Sequence, residues 1–182
     1  GALHHDIGKL AIPIFFIENQ NTGFNPHNEL SYEESAQTII SHVTNGIKLA
    51  YKHSLPEPII DFIRTHHGTS KTKYFYNRYV AENPDKPIDS TIFTYKGPRP
   101  FSRETAVVMM VDAVEAASRS LKNHSESEIS KLVDNIINSQ IEDEQFSNSD
   151  ITFKDVDKIK DLLKKKLQSI YHVRIEYEIT KK

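Results

Sequence analysis

Apolar residues recur at helical spacing in several stretches of the chain. After Ser31-Tyr32-Glu33-Glu34 they fall at Ala36, Ile39, Ile40, Val43, Ile47 and Ala50. That is the i, i+3, i+4, i+7 template of a helix with one buried face, and Ser31 with Glu34 three residues on predicts its capped start. Pro56 to His67 predicts a shorter helix that begins near Pro58, with Ile59, Ile60, Phe62 and Ile63 apolar and Gly68 placed to stop it. Lys71 to Glu82 reads as a Tyr-rich helix. Ser102-Arg103-Glu104 opens another that runs to about Leu121. It is apolar nearly all round from Ala106 to Ala117, the pattern of a deeply buried helix. Ser125–Ile141 and Thr152–Ser169 predict two more amphipathic helices. Arg174 to Ile179 alternates and reads as a short terminal strand or an extended tail.

The stretches between these segments read differently. Gly1 to Leu10 predicts the last turns of a helix. Ala11 to Asn28 holds two prolines and the run Asn19-Gln20-Asn21-Thr22-Gly23, so it predicts a long loop, and loops of that length are often functional. Asn83 to Phe101 contains four prolines and predicts another loop. The expected fold is all-α, a helical bundle in one domain over residues 1–182, with the short C-terminal strand as an option.

Composition narrows the function. The 182 residues are 37% hydrophobic and 26% charged, enough for one soluble core. A net charge of -2 argues against a general DNA or RNA binder, while leaving room for a small anion in a local basic pocket. Cysteine is absent, which excludes disulfides, thiolate zinc sites and Cys nucleophiles. No apolar run is long enough to span a membrane, and no signal-peptide pattern occurs. Gly1-Ala2-Leu3 leads straight into His4-His5-Asp6 with no capping residue before it, so the expectation is a piece whose first helix has been cut through.

Candidate chemistry lies in histidines and aspartates. His5-Asp6, followed by Ile7-Gly8-Lys9, stands at a predicted helix end, where both side chains can turn to one metal. There Gly8 lets the chain turn away tightly, and Lys9 sets a cation where a phosphate would bind. By itself a His-Asp pair is more often a surface dipeptide. His42 falls beside Ile39, Ile40 and Val43 and is expected to point inward, as a ligand or as a satisfied core histidine. His66-His67 ends a buried helix, either as a polar helix end or with both rings on one ion. Asp112 lies in the apolar helix, where a carboxylate needs a metal or a salt bridge, for instance to Arg119. Such an imidazole and carboxylate set suits iron, manganese or zinc. Two ions sharing a bridging Asp would use all six residues and would suit phosphoryl transfer.

Taken together these segments resemble the HD superfamily of metal-dependent phosphohydrolases, whose signature is His5-Asp6-Ile7-Gly8-Lys9. More narrowly the chain resembles the cytosolic HD domain of seven-transmembrane HD proteins of the PgpH type. Carrying that resemblance are Phe16-Ile17-Glu18-Asn19-Gln20, Asn25-Pro26-His27, Ile40-Ser41-His42-Val43, His66-His67-Gly68-Thr69 and Tyr74-Phe75-Tyr76, with Gly97-Pro98-Arg99-Pro100, Arg103-Glu104 and Asp112 to Ala117.

The resemblance implies an HD-domain bundle that opens cyclic di-AMP to linear pApA by attack of a metal-bridging hydroxide. It implies two divalent ions, iron or manganese, with zinc or nickel as further options. His5, Asp6 and Asp112 would hold one, and Asp6, His42, His66 and His67 the other. It implies a further ligand histidine upstream of Gly1, so the first ion is expected to be weak, replaced by water or absent, and no activity is assumed for the chain as it stands. It also implies the cytosolic domain of a membrane-anchored bacterial inner-membrane protein.

Asp6 and Lys9 are the expected catalytic residues, and Lys9, Thr69, Tyr74 and Arg103 the expected substrate contacts. Tyr74 and Tyr76 are candidates to stack on adenine, or simply packing. His27 is a candidate to line the site from the long loop, whereas His53, His124 and His172 read as surface residues and Met109 and Met110 as core. Lys164-Lys165-Lys166 reads as a solvated helix face. Two rival readings stand beside the phosphodiesterase: an HD-type nucleotidase or dNTP phosphohydrolase, and a domain that senses a nucleotide without turnover. The oligomeric state is not legible.

Overall fold

A computed structural model describes the backbone of residues 1–20 and 24–178 and the side chains of residues 1–20 and 24–171. The described residues hold six α-helices and several 3-10 turns, with no strand among them, so the all-α expectation holds. None of the described helices is long and apolar enough to cross a membrane. The chain forms two compact units, Gly1–Arg99 and Pro100–Lys182.

In the first unit α1 spans Tyr32–Lys52 and starts on the expected capping box. Ser31 Oγ accepts from the Glu34 backbone N–H at 3.2 Å, and Glu34 Oε2 accepts from the Ser31 backbone N–H at 2.9 Å. Its buried stripe runs Ala36, Ile40, His42, Gly46 and Ala50, so the helix face that closes the core carries an imidazole. Next comes α2, Glu57–Thr65, with Pro58 in its first turn and Ile60 and Ile63 buried. Gly68 adopts a φ of 50°, the left-handed region that favours glycine, and this turn ends the helix. The third helix, α3, spans Lys73–Glu82 and buries no residue fully; Tyr76 and Tyr79 lay their rings against the buried Phe93.

Two expectations fail here. Gly1 to Leu10 is not the end of an α-helix but two 3-10 turns, Ala2–His4 and Ile7–Ala11. The long loop is likewise turned, with 3-10 segments at Pro13–Phe15, Ile17–Asn19 and Pro26–Glu29. These pieces are too short to build apolar periodicity, so pattern reading passes over them. Gly8 is also needed for a different reason than expected. A Cβ there would stand 1.8 Å from the His42 carbonyl oxygen and 2.5 Å from the Gly46 nitrogen. Close approach of the Ile7–Ala11 turn to α1 requires the glycine. Gly46 answers it, since a Cβ there would meet the Ile63 side chain at 2.8 Å.

The second unit holds α4 (Arg103–Ser118), α5 (Glu126–Glu142) and α6 (Phe153–Glu178). Met110, Val114, Ile129, Val133, Ile137, Val156 and Leu167 form its apolar cluster. Met109 is buried as expected. Buried on one face only, α4 departs from its all-round apolar pattern: Val111 is 40% exposed and Asp112 half-buried. Continuing to Glu178, α6 occupies residues 174–178 as helix where a strand or tail was the expectation; Ile179 lies outside the described residues. His124 is not a plain surface residue, because its ring stacks on Tyr171 at 3.6 Å. The His172 side chain lies outside those described.

Candidate metal centre

Three regions of the first unit meet around Asp6. The 3-10 turns bring His5, Asp6 and Lys9, α1 brings His42, and the turn after α2 brings His66 and His67. Because α2 stops at Thr65, the two adjacent histidines escape the helical divergence of about 100°. Their ring centroids lie 4.1 Å apart. His42 and His66 are buried. His67 lies between His66 and the stacked ring of Tyr95, whose centroid is 4.2 Å away.

Hydrogen bonds on the far side of each ring decide which nitrogen faces inward. His42 Nδ1 donates to the Ile39 carbonyl at 2.6 Å and His66 Nδ1 to the Ile63 carbonyl at 2.8 Å. With the proton on Nδ1, the neutral ring presents a bare lone pair at Nε2. Those two Nε2 atoms lie 3.0 Å apart. Both also face Asp6 Oδ1, at 3.4 Å from His42 and 3.5 Å from His66. With both rings neutral, three acceptors therefore meet. Asp6 Oδ1 is buried and makes no hydrogen bond. A cation resolves this arrangement. Donors on one ion are about 3 to 4 Å apart when each bond is about 2.1 Å long, as found here. His67 completes a group of four ligand atoms all within 4.8 Å of one another.

The other Asp6 oxygen looks the opposite way. Oδ2 lies 3.3 Å from His5 Nε2 and 2.8 Å from Lys9 Nζ. His5 Nδ1 donates to the Ala2 carbonyl at 2.6 Å, which turns its Nε2 toward Asp6 Oδ2. Asp6 thus offers one oxygen to each of two neighbouring positions, the disposition a bridging carboxylate needs.

Electrostatics agree with a cation site. Burial pushes the Asp6 carboxyl up, but its contacts with His5, His66 and Lys9 and the Lys9 charge outweigh it, and the group ionises well below the usual carboxylate range. Burial, with the His66 ring close by, brings His42 down to about 4, and burial lowers His67 as well. Burial works against the Lys9 ammonium, yet Asp6 and Glu18 more than compensate and raise it. Near neutral pH His42 and His67 are deprotonated, the Asp6 carboxylate is charged, and the Lys9 ammonium beside them stays protonated. Nitrogen and oxygen donors in this mixture suit iron, manganese or zinc.

The structure thus brings together His5, Asp6, Lys9, His42, His66 and His67 as the sequence suggested. Thr69 and Tyr74 belong to the same unit: Thr69 Oγ1 accepts from Arg99 Nε at 3.1 Å, and Tyr74 is 65% exposed on α3. Tyr76 is half-buried against Phe93. Asp112 and Arg103 lie in the second unit, where Arg103 Nε donates to the Asp150 carbonyl at 2.9 Å. His27 Nε2 donates to the Phe15 carbonyl at 3.0 Å and helps close the long loop. Tyr95 went unmarked in the sequence, and Phe16 and Glu18 entered only as carriers of the resemblance, with no role assigned. Phe16 meets the His42 ring edge-on at 5.6 Å, and Glu18 holds Lys9. All three lie in segments without periodicity, where no spacing marks them.

Comparisons with known proteins identify relatives of the whole chain. The HD domain family matches residues 1–117. A cyclic-di-AMP phosphodiesterase PgpH of Bacillus subtilis (strain 168) is 44% identical over all of this chain and 26% of its own length. Its namesake in Listeria monocytogenes serotype 1/2a (strain 10403S) is 40% identical over 97% of this chain and 24% of its own length. The crystal structure of the L. monocytogenes phosphodiesterase PgpH HD domain in complex with cyclic-di-AMP matches with a TM-score of 0.88 at 39% identity, covering 92% of this chain and 78% of that one. The chain spans about a quarter of the length of these curated relatives.

Proposed function

The chain belongs to the HD domain family, in its PgpH branch, and from that premise we propose that it is the metal-dependent catalytic domain of a cyclic-dinucleotide phosphodiesterase. Its substrate on this reading is cyclic di-AMP and its product linear pApA. One observation carries the metal half: Asp6 Oδ1, buried and without a hydrogen bond, and the Nε2 atoms of His42 and His66 lie within 3.5 Å of one another. The names of the relatives, and the dinucleotide bound to one of them, support the substrate half.

On this reading Asp6, His42, His66 and His67 hold one divalent ion and His5, Asp6 and Asp112 the other, with Asp6 shared. Iron or manganese is the proposed metal, and zinc or nickel fits the same donors. Such ions supply Lewis acidity toward a phosphoryl oxygen and make water a stronger nucleophile at neutral pH. In the reaction a water oxygen bonds to phosphorus as the bond to the ribose 3′ oxygen breaks. The water gives up one proton and the leaving oxygen gains one. The chain's own residues hold the reacting groups. Asp6 keeps two positions at fixed separation, the Ile39 and Ile63 carbonyls orient the two buried imidazoles, and Lys9 offers an ammonium to the phosphate. Thr69, Tyr74 and Arg103 are the further substrate contacts we assign. The domain belongs, on the same reading, to the cytosolic part of a longer membrane-anchored protein.

Conversion of cyclic di-AMP to pApA by the metal-loaded protein, followed by chromatography alongside elemental analysis, tests the assignment. Asp6→Ala is expected to lower turnover by more than about 100-fold, beyond the usual cost of losing an outer-shell partner of a ligand. Metal content should fall with it. Tight binding of the dinucleotide without product would instead favour a sensing role.

A further inference from the structure

Lys9 is held on three sides. Its Nζ lies 2.8 Å from Asp6 Oδ2 and 2.8 Å from Glu18 Oε1. The Phe16 ring lies beneath it, with 5.1 Å from Nζ to the centroid, a cation–π position. Phe16 is itself buried and fixed edge-on against His42. An ammonium has three N–H donors on a flexible stem. Two are taken by carboxylates, which leaves one with a defined direction.

The loop that delivers Glu18 is tied by its own side chains. Asn19 Nδ2 donates to the Pro13 carbonyl at 3.2 Å, Gln20 Nε2 to the Ile14 carbonyl at 3.2 Å, and His27 Nε2 to the Phe15 carbonyl at 3.0 Å. Asn25 Oδ1 accepts from the His27 backbone N–H at 3.1 Å. Three consecutive carbonyls are therefore each held by a side chain further along the loop. Stability does not account for this, because Glu18 is exposed and exposed ion pairs contribute little to it. Nor does Glu18 belong to the group of four ligand atoms around Asp6 Oδ1.

We propose that Glu18 is a positioning residue for Lys9: it and Asp6 each take one N–H of the ammonium, so that the third is aimed at a phosphate oxygen of the substrate. This rests on the hydrolase reading above. It adds a residue outside the group of four ligand atoms that acts on the substrate through Lys9.

The test compares Glu18→Gln, Glu18→Asp, Lys9→Ala and the Glu18→Gln/Lys9→Ala pair in metal-loaded protein with cyclic di-AMP. Glu18→Gln should lower kcat about tenfold with metal content and melting temperature unchanged, and Glu18→Asp should recover part of the loss. The double variant should match Lys9→Ala, since a residue that works through Lys9 adds nothing once Lys9 is gone. A readout without turnover is labelling of Lys9 by acetic anhydride, measured by peptide mass spectrometry. Glu18→Gln should speed it severalfold by freeing the amine. Unchanged labelling overturns the proposal, as does wild-type kcat and KM in Glu18→Gln, or additive losses in the double variant. If no phosphodiester is hydrolysed at all, the hydrolase reading fails, and the labelling rate alone decides whether Glu18 holds Lys9.

Discussion

Residues 1–99 bury imidazoles and hydroxyls beside aliphatic side chains, whereas the polar side chains that residues 100–171 bury beside aliphatic groups and methionine, Thr105, Ser118, Gln140 and Gln145, are neutral hydroxyls and amides. In the first unit the apolar cluster is small, Ala50, Ile60 and Ile63, with Ile7, Ile47 and Leu55 packed around it. His42, His66, Thr65 and Ser35 are as buried as those aliphatics. In the second unit seven apolar residues from three helices form one cluster. A hydrophobic cluster stabilises whatever its surroundings, because water is excluded from apolar surface. Buried lone pairs that face one another do so only with a cation between them. The first unit is thus built to be completed by its ligand, and the second is complete without one.

Gly8→Ala should be the most damaging single change. The added Cβ would lie 1.8 Å from the His42 carbonyl oxygen and 2.5 Å from the Gly46 nitrogen, both backbone atoms of α1 that have no rotamer to yield. Overpacking usually costs about 1–3 kcal/mol, and a backbone clash of this depth should exceed that range. Metal binding should be lost, while exchange protection of α5 amides persists. Normal metal content in Gly8→Ala would mean that the Ile7–Ala11 turn does not need its seat on α1.

Removing metal should come next. A ligand present at a thousand times its dissociation constant stabilises by about 4 kcal/mol, so a chelator should accelerate amide exchange in α1 and α2 by up to roughly a thousandfold. Exchange in α5 should stay at its metal-loaded rate. Equal acceleration in both units would break the contrast drawn above.

Acid should act in the same direction on the metal-free protein. His42 is lowered from 6.5 to about 4 by burial and by the His66 ring. Between those values the unfolded chain binds a proton that the folded chain refuses, so stability rises with pH across this window and falls as pH drops through it. The shift corresponds to about 3 kcal/mol for a group this deeply buried. Full stability is expected above about pH 6.5, with most of this contribution gone near pH 4. Circular dichroism melts of chelated protein should move to lower temperature as pH falls from 6.5 to 4. A melting profile flat from pH 7 to 4 would remove His42 from the first unit's stability.

Legibility followed the same division. The starts of α1 and α5 were readable because Ser31 and Ser125 announce them, and in α1 a polar residue on the apolar stripe, His42, stood out. Asp6, His66 and His67 were readable for their chemistry. The 3-10 turns were not, since four or five residues carry no period. Residues 174–178 alternate, but nothing between Phe153 and Glu178 breaks a helix, and α6 continues through them. Glu18 acts on Lys9 only because Asn19, Gln20 and His27 fold the loop back, a relation that no local pattern records.

The smallest effect makes the most discriminating pair. Ile137 and Ile63 are both fully buried, one in each unit. Trimming either to valine removes one methylene, and each should cost about 1 kcal/mol in chemical denaturation. Their consequences for metal should differ. Ile137 belongs to the apolar cluster of the second unit, and Ile137→Val should leave metal affinity unchanged. Ile63 has two duties: its side chain lies where Gly46 admits no Cβ, and its carbonyl holds the His66 Nδ1 proton at 2.8 Å. Relaxation of α2 into the space left by Ile63→Val would turn the His66 ring, and metal affinity should weaken by about two- to fivefold, within the cost of disturbing an outer-shell partner. Equal affinities in the two variants, at equal loss of stability, would show that the imidazole geometry is set by the metal alone and not by the packing beneath it.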